Sequence, residues 1–461
     1  MAAPMIPPAA APDFLAKHGW EGAEIRPLAG DASFRRYFRV HRTSGETAVL
    51  MDAPPEHEDL GPFLTVAGHL LDRGFHPPRP LAIDRERGFL LLEDFGDDRV
   101  GPLLEREPER ERDIYEAAVD ILARLATQEA PSDLPPYEDS ALSREVTLFT
   151  DWYAPSIDLN VNEGTFLPAW RKVWGDVLRA SRRRPVIVLR DYHADNLMVL
   201  PNRDELGLLD FQDALAGHPA YDLVSLLQDA RRDVPPELEE AMIDRYCTAA
   251  GVPDRDGFRA HYETLGAQRN TKILGIFTRL WKRDGKDHYL ALHPRVWNYL
   301  ERNLAHPALE PVRAWFDENV PREVRGVAWE DGARPVQRRL SIHIERHAAK
   351  LAAVGDQKVR LDDRNAHLSL AVQQLERALD VIDHSNDPDL IEVAVHLRTG
   401  IDLINRCRVR NLSTSVSIIR YLVIDPSKRA MNSSLDDAWK LVIQGGVLAL
   451  MQVMLNYLGV I

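Results

Sequence analysis

The stretch from Val186 to Asp213 constrains this chain more than any other. It contains three short apolar runs separated by polar residues: Val186–Leu189, Leu197–Leu200 and Leu206–Leu209. The first run is typical of a strand. The other two flank Pro-Asn-Arg-Asp, a group typical of turns, so we predict that they form a β-hairpin. A hairpin returns the chain to the edge from which it started, so residues just before and just after it should lie close together.

Three polar residues stand at the ends of this hairpin. Asp191 and Asn196 precede its first strand, and Asp210 follows its second. We expect their side chains to converge. Oxygen ligands suit Mg²⁺, and near a nucleotide one or two protein ligands are enough, so Asn196 and Asp210 are candidate ligands. Asp191 precedes Asn196 by five residues, the spacing of the catalytic-loop Asp and Asn in protein kinases. Each residue alone is equally consistent with the capping of a turn.

The sequence around these residues resembles the catalytic core of the aminoglycoside phosphotransferase and choline kinase superfamily. The resemblance is carried by D-Y-H-A-D-N-L, starting at Asp191, by L-L-D-F-Q-D, starting at Leu208, and by G-H-P-A-Y-D-L, starting at Gly217. It implies an α+β fold with two lobes like those of protein kinases, a small β-rich N-lobe and a helical C-lobe. It also implies ATP and Mg²⁺ as cofactors, bound between the lobes.

The resemblance implies a role for each matching position. Asp191 is the implied catalytic residue, which orients the acceptor hydroxyl and receives its proton. His193 is implied to support the catalytic loop. Asn196 and Asp210 are the implied metal ligands, and Asp222 is the implied acceptor of structural hydrogen bonds that close the motif.

Within the superfamily, the chain most resembles the anomeric N-acetylmuramate/N-acetylglucosamine kinases of bacterial cell-wall recycling. The supporting segments are Gly30–Arg39, Leu50–Pro55 and Gln268–Leu280, and the likeness extends from Asp13 to Arg325. The implied reaction is phosphorylation of the anomeric hydroxyl of the amino sugar, which gives the α-1-phosphate in peptidoglycan recycling. Two alternatives stay open: a kinase for another small alcohol, such as an amino alcohol or a different sugar, and a nucleotide-binding pseudokinase that acts through a helical appendage.

The candidate phosphate-binding residues lie near the N-terminus. Gly30 to Ser33 form a turn of small residues that resembles a kinase phosphate loop, in which backbone N–H groups and the Ser33 hydroxyl would face ATP. Without the downstream motif, the same residues are consistent with an ordinary hairpin. The superfamily places a phosphate-binding Lys in the strand that here reads A-V-L-M-D, and this strand has none. Arg35 or Arg36 could supply the missing charge, although both are also consistent with surface ion pairs. The helix that ends near Arg73 also offers no obvious inward Glu to pair with a phosphate-binding cation.

Two further parts of the nucleotide and acceptor sites are predicted. An apolar strand, G-F-L-L-L-E-D, ends at the predicted hinge, where adenine would bond to the backbone around Glu93 and Phe95. The helical segment 267–282 carries the candidate substrate residues Arg269, Asn270 and Lys272, whose polar character would suit an N-acetyl sugar. Each is also consistent with a surface salt bridge.

The remaining sequence sets the predicted domains. They are a disordered lead-in at 1–12, an N-lobe with the hinge at 13–96, a C-lobe at 97–325, a linker at 326–340, and a helical appendage of unknown role at 341–461. The net charge of −14 argues against generic nucleic-acid binding. The N-terminus lacks the pattern of a signal peptide, and the two cysteines form no metal or disulfide framework, so we expect a cytoplasmic protein.

The end of the chain is the most apolar part of the appendage. Val442 to Ile461 contains no charged residue and is nearly long enough to span a bilayer. Gln444, Gln452 and Asn456 argue against a membrane span. We therefore expect a buried bundle helix or an oligomer contact, with membrane association as the less favoured alternative.

Overall fold

The computed structural model describes residues 5–30, 34–157, 159–201, 205–326, 347, 350–353, 355–361, 365–383, 388–410, 412–431 and 437–458. The chain divides into two compact units. The first unit comprises Met1–Trp152 and Asn162–Asn319, and the second comprises Tyr153–Val161 and Val320–Ile461. The first unit therefore ends at Asn319 rather than at the predicted Arg325. The short segment Tyr153–Val161, which we predicted within the C-lobe, is grouped with the second unit.

The N-lobe of the first unit is built on one antiparallel sheet. Its strands are β1 Glu24–Gly30, β2 Arg36–His41, β3 Thr47–Asp52, β4 Pro80–Asp84 and β5 Phe89–Glu93. The spatial order is β1-β2-β3-β5-β4. Alternate residues are buried on one face, as the period of a strand requires, and Phe38, Val40, Ala48 and Leu50 belong to the same core cluster. Gly88 allows a close turn before β5, because a Cβ at this position would lie 1.9 Å from the Ala53 carbonyl oxygen.

Two helices accompany the sheet. Helix α1, Ala11–Lys17, buries Phe14 and Leu15 against the cluster just described. Because α1 begins at Ala11, and Met5 already packs against that cluster, the ordered chain begins before residue 13; the predicted lead-in at 1–12 is too long. Helix α2, Leu60–Asp72, follows β3, and Asp59 caps it by accepting a hydrogen bond from the Gly61 N–H group at 2.8 Å.

The C-lobe is mainly helical. Its helices, together with the short helix α6 of the second unit, are α3 Val100–Arg106, α4 Glu111–Ala126, α5 Asp139–Leu148, α6 Ala154–Ser156, α7 Glu163–Arg183, α8 Ala220–Leu227, α9 Pro236–Ala249, α10 Arg255–Asp284, α11 His293–Leu304 and α12 Glu310–Asn319. Helix α10 is the central element and is buried along most of its length. It ends at Gly285, whose φ of 69° is the left-handed conformation that favours glycine. The predicted α+β class, with a β-rich N-lobe and a helical C-lobe, is confirmed.

Two short antiparallel pairs lie between α7 and α8. Strand β6, Val186–Val188, pairs with β9, Leu215–Gly217. Strand β7, Leu197–Val199, pairs with β8, Leu206–Leu208, in the hairpin predicted from the sequence. The loops 189–196 and 209–214 flank the hairpin, and they carry the polar residues that the sequence analysis singled out.

The second unit has its own apolar core. Its strands and α-helices from residue 358 onward are β10 Lys358–Arg360, α13 Ala366–Ile382, α14 Pro388–Arg410, β11 Ser413–Ser415, α15 Val416–Ile419, α16 Asp425–Met431 and α17 Asp437–Tyr457, and a π-helical turn, Arg420–Ile424, joins α15 to α16. Helix α17 contains most of the uncharged terminal segment, and its Ile443, Val447, Leu450 and Met454 are fully buried in this core. Among the described residues, no helix is both long and apolar enough to cross a membrane. Apart from Gly326, the predicted linker lies outside the described residues.

Candidate active site

The loop that follows β6 adopts a backbone conformation that is rare for its residue type. Arg190 has a φ of 71°, which costs a non-glycine residue about 1 to 3 kcal/mol. Asp222, on α8, stabilises this conformation by accepting hydrogen bonds from the Leu189 N–H group at 2.6 Å and from the Arg190 N–H group at 2.8 Å. The Ser225 hydroxyl donates to the Arg190 carbonyl at 3.2 Å. Asp222 therefore closes the loop through structural hydrogen bonds.

Burial opposes the charge of Asp222. Removal from water raises the pKa of its carboxyl group to about 7, and the hydrogen bonds from Leu189 and Arg190 act in the opposite direction. The two backbone donors therefore favour the ionised carboxylate, whereas burial favours its protonated form. This makes the geometry of the loop and the charge of Asp222 dependent on each other.

Asp191 and Asn196 are joined in this loop. The Asn196 side-chain amide donates to the Asp191 carbonyl oxygen at 2.9 Å, and the Asn196 backbone N–H group donates to the His193 carbonyl at 2.9 Å. Within the described part of the chain, the Asp191 carboxylate accepts no hydrogen bond. It is thus placed at the surface of the loop with both oxygens able to accept a proton or a hydrogen bond from a bound hydroxyl.

Asp210 lies directly after β8 and faces Asn196. Its φ is 54°, and its Oδ2 atom lies 3.4 Å from Asn196 Nδ2. Gln212 donates to Asp210 Oδ1 at 2.8 Å, which orients the carboxylate. The hairpin has therefore brought the two residues together, as the sequence predicted.

These two side chains fit a magnesium ion that also binds phosphate. The Asn196 nitrogen is used by the Asp191 carbonyl, so its Oδ1 atom is the one that can coordinate a cation. Asp210 provides a carboxylate beside it. No group of three or more His, Cys, Asp or Glu residues is placed to hold a metal in the described residues. A two-ligand site with phosphate and water oxygens matches the coordination that Mg²⁺ adopts beside nucleotides.

His193 supports this loop as a neutral residue. Its ring is buried, and burial, with further contributions from the charges of Arg231 and Arg269, lowers its pKa well below the usual value. Its Nε2 atom lies 3.3 Å from Asn196 Nδ2 and 3.4 Å from Arg231 Nη1, both of which are donors. His193 Nε2 is therefore the acceptor in both contacts, and the side chain holds Asn196 rather than carrying a proton to substrate.

A cavity of about 310 Å³ opens between the sheet and this loop. Val49 and Tyr37 line it from the N-lobe, and Asp195, Asn196 and Asp210 line it from the C-lobe. The metal candidates thus lie at the boundary of a space that is large enough for part of a nucleotide. Its mixed apolar and polar lining is typical of a small-molecule site.

The predicted hinge residues lie at this cavity with different roles. The Glu93 N–H group donates to the Arg79 carbonyl at 2.9 Å, so it is occupied and cannot bond to adenine. The Glu93 carboxylate accepts from the Arg79 side chain at 3.0 Å. Phe95 is buried with Met198 and Leu200, where its ring forms part of the cavity wall. The predicted contact of adenine with the backbone around Glu93 and Phe95 stays a prediction, to which the Glu93 N–H group does not contribute.

Comparison with known proteins identifies a family and several relatives of this chain. A model of the phosphotransferase enzyme family matches residues 24–261. An N-acetylmuramate/N-acetylglucosamine kinase of Caulobacter vibrioides is 38% identical over 354 residues, which covers 68% of this chain and 96% of the relative. A protein of the same name from Pseudomonas aeruginosa is 39% identical over 305 residues, covering 64% of this chain and 88% of the relative.

The chain belongs to the phosphotransferase enzyme family. It is an enzyme with the protein-kinase-like fold of that family, and the predicted resemblance is confirmed. Among solved structures, a choline/ethanolamine kinase family protein from Mesorhizobium loti is 14% identical, with a TM-score of 0.46, and the match covers 66% of this chain and 96% of that one.

The Lys that the resemblance implies on β3 is absent, since β3 reads T-A-V-L-M-D. The two arginines considered as replacements lie in different surroundings. Arg36 donates to the buried Asp52 carboxylate at 2.8 Å and to the Ile6 carbonyl at 3.4 Å, so it is used within the N-lobe. Arg35 instead reaches Asp210, with 4.0 Å between Arg35 Nη2 and Asp210 Oδ1. Arg35 therefore lies beside the candidate metal ligand, whereas Arg36 is bound within the N-lobe, and phosphate binding by either residue stays a prediction.

The remaining residues of the predicted phosphate loop are only partly described. Gly30 is the last residue of β1 and pairs with Arg36 across the sheet. Ser33 lies outside the described residues. Their predicted contacts with ATP stay predictions.

A buried ionic cluster lies on the C-lobe side of the phosphotransferase loop. Its centre is Glu145 of α5, which bonds to Arg190 at 2.5 Å, to Lys272 at 3.0 Å and to Gln268 at 2.9 Å, and which also accepts from the Tyr137 hydroxyl. Burial alone would raise the pKa of Glu145, but the charges of Lys272 and Arg190 lower it to about 2. The cluster connects α5 and α10 directly to the residue before Asp191.

The candidate substrate residues on α10 are buried rather than exposed in the cavity. Lys272 is paired with Glu145, and Asn270 donates to Gln228 at 2.8 Å and to Asn303 at 3.0 Å. Arg269 lies 3.5 Å from the Gln228 carbonyl. Their burial excludes surface salt bridges, the alternative considered for these residues, and their predicted contact with the substrate stays a prediction.

Sequence analysis overlooked Glu145. A signal was present, because Glu145 occupies the same face of α5 as the buried residues Ala141, Leu142 and Val146. A carboxylate on an otherwise apolar helix face requires a buried partner, since an unpaired charge there would be costly. The partners of Glu145 lie far away in the sequence, so the sequence pattern did not identify them.

Proposed function

We propose that this chain uses ATP and Mg²⁺ to phosphorylate the anomeric hydroxyl of N-acetylmuramate or N-acetylglucosamine, giving the α-1-phosphate. Its place would be the recycling of peptidoglycan sugars. The observation that carries the proposal is that four curated relatives, 36% to 39% identical, bear the name N-acetylmuramate/N-acetylglucosamine kinase. These matches cover 86% to 96% of the relatives' lengths.

Asp191 is the proposed catalytic residue. The acceptor oxygen forms a new bond to the γ-phosphorus of ATP, the bond to the bridging oxygen of ADP breaks, and the acceptor proton passes to the Asp191 carboxylate. The carboxylate is suited to this role because the described residues donate no hydrogen bond to it, while the loop that carries it is held by Asp222. Most of the rate enhancement would come from this positioning.

Asn196 and Asp210 are the proposed ligands of Mg²⁺. The ion would neutralise phosphate charge when it is bound with ATP. The contribution of the chain is to hold the two ligand oxygens side by side, through the Asn196 contact with Asp191 and the Gln212 contact with Asp210. His193 holds the Asn196 side chain by accepting a hydrogen bond from its amide.

The buried ionic cluster around Glu145 is proposed to support the catalytic loop on the side where the acceptor sugar binds. Lys272 is buried, which opposes its charge, but the facing Tyr221, Glu145 and Asp191 raise its pKa overall. Since Glu145 already pairs with Lys272 and Arg190, these cations would act on the acceptor through Asp191 and the loop rather than by direct contact.

An ADP-release assay across a panel of alcohols tests the function. N-acetylmuramate and N-acetylglucosamine should stimulate ADP release, while choline and kanamycin should not. The product should lose its reducing end, because phosphate would occupy the anomeric oxygen, and phosphorus NMR should show coupling to the anomeric proton. A product that still reduces copper would place the phosphate on another hydroxyl, and stimulation by choline alone would favour an amino-alcohol kinase.

A further inference from the structure

We infer that Arg35 and Glu58 together replace the Lys–Glu pair that is missing from this chain, with Arg35 binding the terminal phosphates of ATP and Glu58 acting as its positioning residue. The inference rests on ATP as the phosphoryl donor, and not on which sugar accepts the phosphate. Glu58 belongs to none of the motifs discussed above. It lies two residues before α2, in the connection from β3.

Arg35 is held between two carboxylates. Its Nε atom lies 3.8 Å from Glu58 Oε2, and its Nη2 atom lies 4.0 Å from Asp210 Oδ1. The Arg35 side chain is 11% exposed and that of Glu58 is 20% exposed, so water screens the pair less than it screens a surface pair. The guanidinium group thus spans from the N-lobe to the candidate metal ligand.

Glu58 also fixes the backbone beside Arg35. Its Oε1 atom accepts a hydrogen bond from the Phe34 N–H group at 3.2 Å, while its Oε2 atom faces Arg35. The Phe34 ring stacks on His57 with 4.3 Å between centroids. The Glu58 carboxylate therefore fixes both the backbone just before β2 and the direction of the Arg35 side chain. The stacking of Phe34 on His57 further stabilises the contact between these two chain segments.

Arg35 lies beside Asp210 at the wall of the cavity. Asp210 lines the cavity and is the candidate magnesium ligand, so a cation beside it lies where the β- and γ-phosphates have to be placed. Phe63 of α2 packs against Phe211, with 5.0 Å between ring centroids, so the helix that follows Glu58 contacts the residue that follows Asp210. A guanidinium group presents several donors in one plane and can bind two phosphate oxygens at once.

The two arginines of β2, which begins directly after Arg35, are engaged elsewhere. Arg36 is bound to Asp52 and Ile6, as described above. Arg39 donates to Asp97 at 2.7 Å and to the Gly96 carbonyl at 2.8 Å, which ties β2 to the hinge. Of these three arginines, Arg35 is the one whose side chain reaches a candidate metal ligand.

Binding measurements without any sugar test the inference and keep it separate from the acceptor proposal. The probes are a non-hydrolysable ATP analogue with Mg²⁺, and adenosine, each titrated by calorimetry. Arg35→Met should weaken binding of the ATP analogue about 100-fold and leave adenosine within about twofold, because the contact is made to phosphate. Arg35→Lys should recover part of the loss, since it keeps a cation without the planar donors.

A double-mutant cycle separates positioning from simple charge loss. Glu58→Gln should weaken the ATP analogue about tenfold in the wild-type background and less than about twofold in the Arg35→Met background, because Glu58 acts through Arg35. Kinetics should show the same pattern as a rise in the KM for ATP. The control is Arg26→Gln on β1, which removes an arginine from an exposed pair with Glu24 in the same sheet and should change neither probe.

Three outcomes would overturn the inference. One is unchanged affinity for the ATP analogue in Arg35→Met. A second is equal loss for adenosine and the ATP analogue, which would indicate a general distortion of the cavity. The third is a Glu58→Gln effect of the same size in both backgrounds. Thermal unfolding checks that each variant is folded. If Arg35→Met fails to fold, the double-mutant cycle is repeated with Arg35→Lys in its place, and the same outcomes support or overturn the inference.

Discussion

The side-chain amide of Asn196 donates a hydrogen bond to the carbonyl oxygen of Asp191 at 2.9 Å. This bond joins the residue proposed to receive the acceptor proton to a residue proposed to bind the metal. It also leaves the Asn196 oxygen, rather than its nitrogen, to coordinate a cation. One short segment would thus orient both the acceptor and the phosphoryl donor. A displacement of Asp191 would therefore also displace Asn196, and the reverse.

Asp191→Asn should retain nucleotide binding and lose about 1,000-fold in kcat, because the amide cannot accept the acceptor proton. Calorimetry with the ATP analogue and steady-state kinetics measure the two effects separately. Asp213→Asn, a change of the same kind at an exposed position of the neighbouring loop, should stay near wild type in both. A near-normal kcat in Asp191→Asn would refute the assignment of this residue.

Asp210→Asn should raise the Mg²⁺ concentration needed for half-maximal activity by about tenfold or more, because a ligand charge is lost. Asn is the suitable replacement because it tolerates the left-handed backbone at this position, where φ is 54°. The measurement is a Mg²⁺ titration at saturating ATP and sugar. An unchanged magnesium dependence would show that the cation binds elsewhere.

Glu145→Gln should destabilise the fold by about 3 to 5 kcal/mol at pH 7, because it leaves Lys272 and Arg190 without their buried partner. The pH dependence provides a second readout. The pKa of Glu145 is about 2 in the folded chain, against an ordinary value of 4.5. Its ionisation therefore contributes stability that is fully present above about pH 4.5 and is lost as the pH falls toward 2, about 3 kcal/mol in all.

Denaturant unfolding at pH 7 and at pH 3.5 measures both effects of Glu145→Gln. The difference in the free energy of unfolding between the variant and the wild type should be smaller at pH 3.5. At that pH the wild type loses part of the stability that ionised Glu145 provides, and the variant never had it. Glu46→Gln removes a carboxylate from a more exposed pair with Arg42 and should change stability by no more than about 0.5 kcal/mol. A gap of equal size at both pH values would contradict the lowered pKa.

A chain that ends at Arg325 should fold and phosphorylate its substrate, because the proposed catalytic and metal-binding residues all precede that position. The first unit closes at Asn319, and 68% of this chain suffices to match 96% of the Caulobacter vibrioides relative. Removing the rest should alter assembly or solubility, measured by light scattering, more than kcat. A shortened enzyme that is soluble and folded yet inactive would show that the appendage is part of the active unit.

The sequence by itself determined the local part of the site. The apolar runs and the turn between them specify the β7–β8 hairpin, because pairing across a short turn depends on neighbouring residues. Since a hairpin returns to its own starting edge, the convergence of Asn196 and Asp210 followed from the same pattern. The α10 segment was likewise predicted as helix, because its periodicity is local, but its burial was not.

Only the tertiary structure decided which distant residues contact one another in this core. The family resemblance implied that Asp222 accepts structural hydrogen bonds, but its donor Leu189 lies 33 residues away and was identified only by the fold. Lys272 lies 127 residues from Glu145, so no periodic pattern links this pair. Glu58 was overlooked because it lies before α2 rather than within it, and its role depends on where the loop at Phe34 packs. Such contacts depend on how whole elements pack, since a buried charge is tolerated only where folding places its partner.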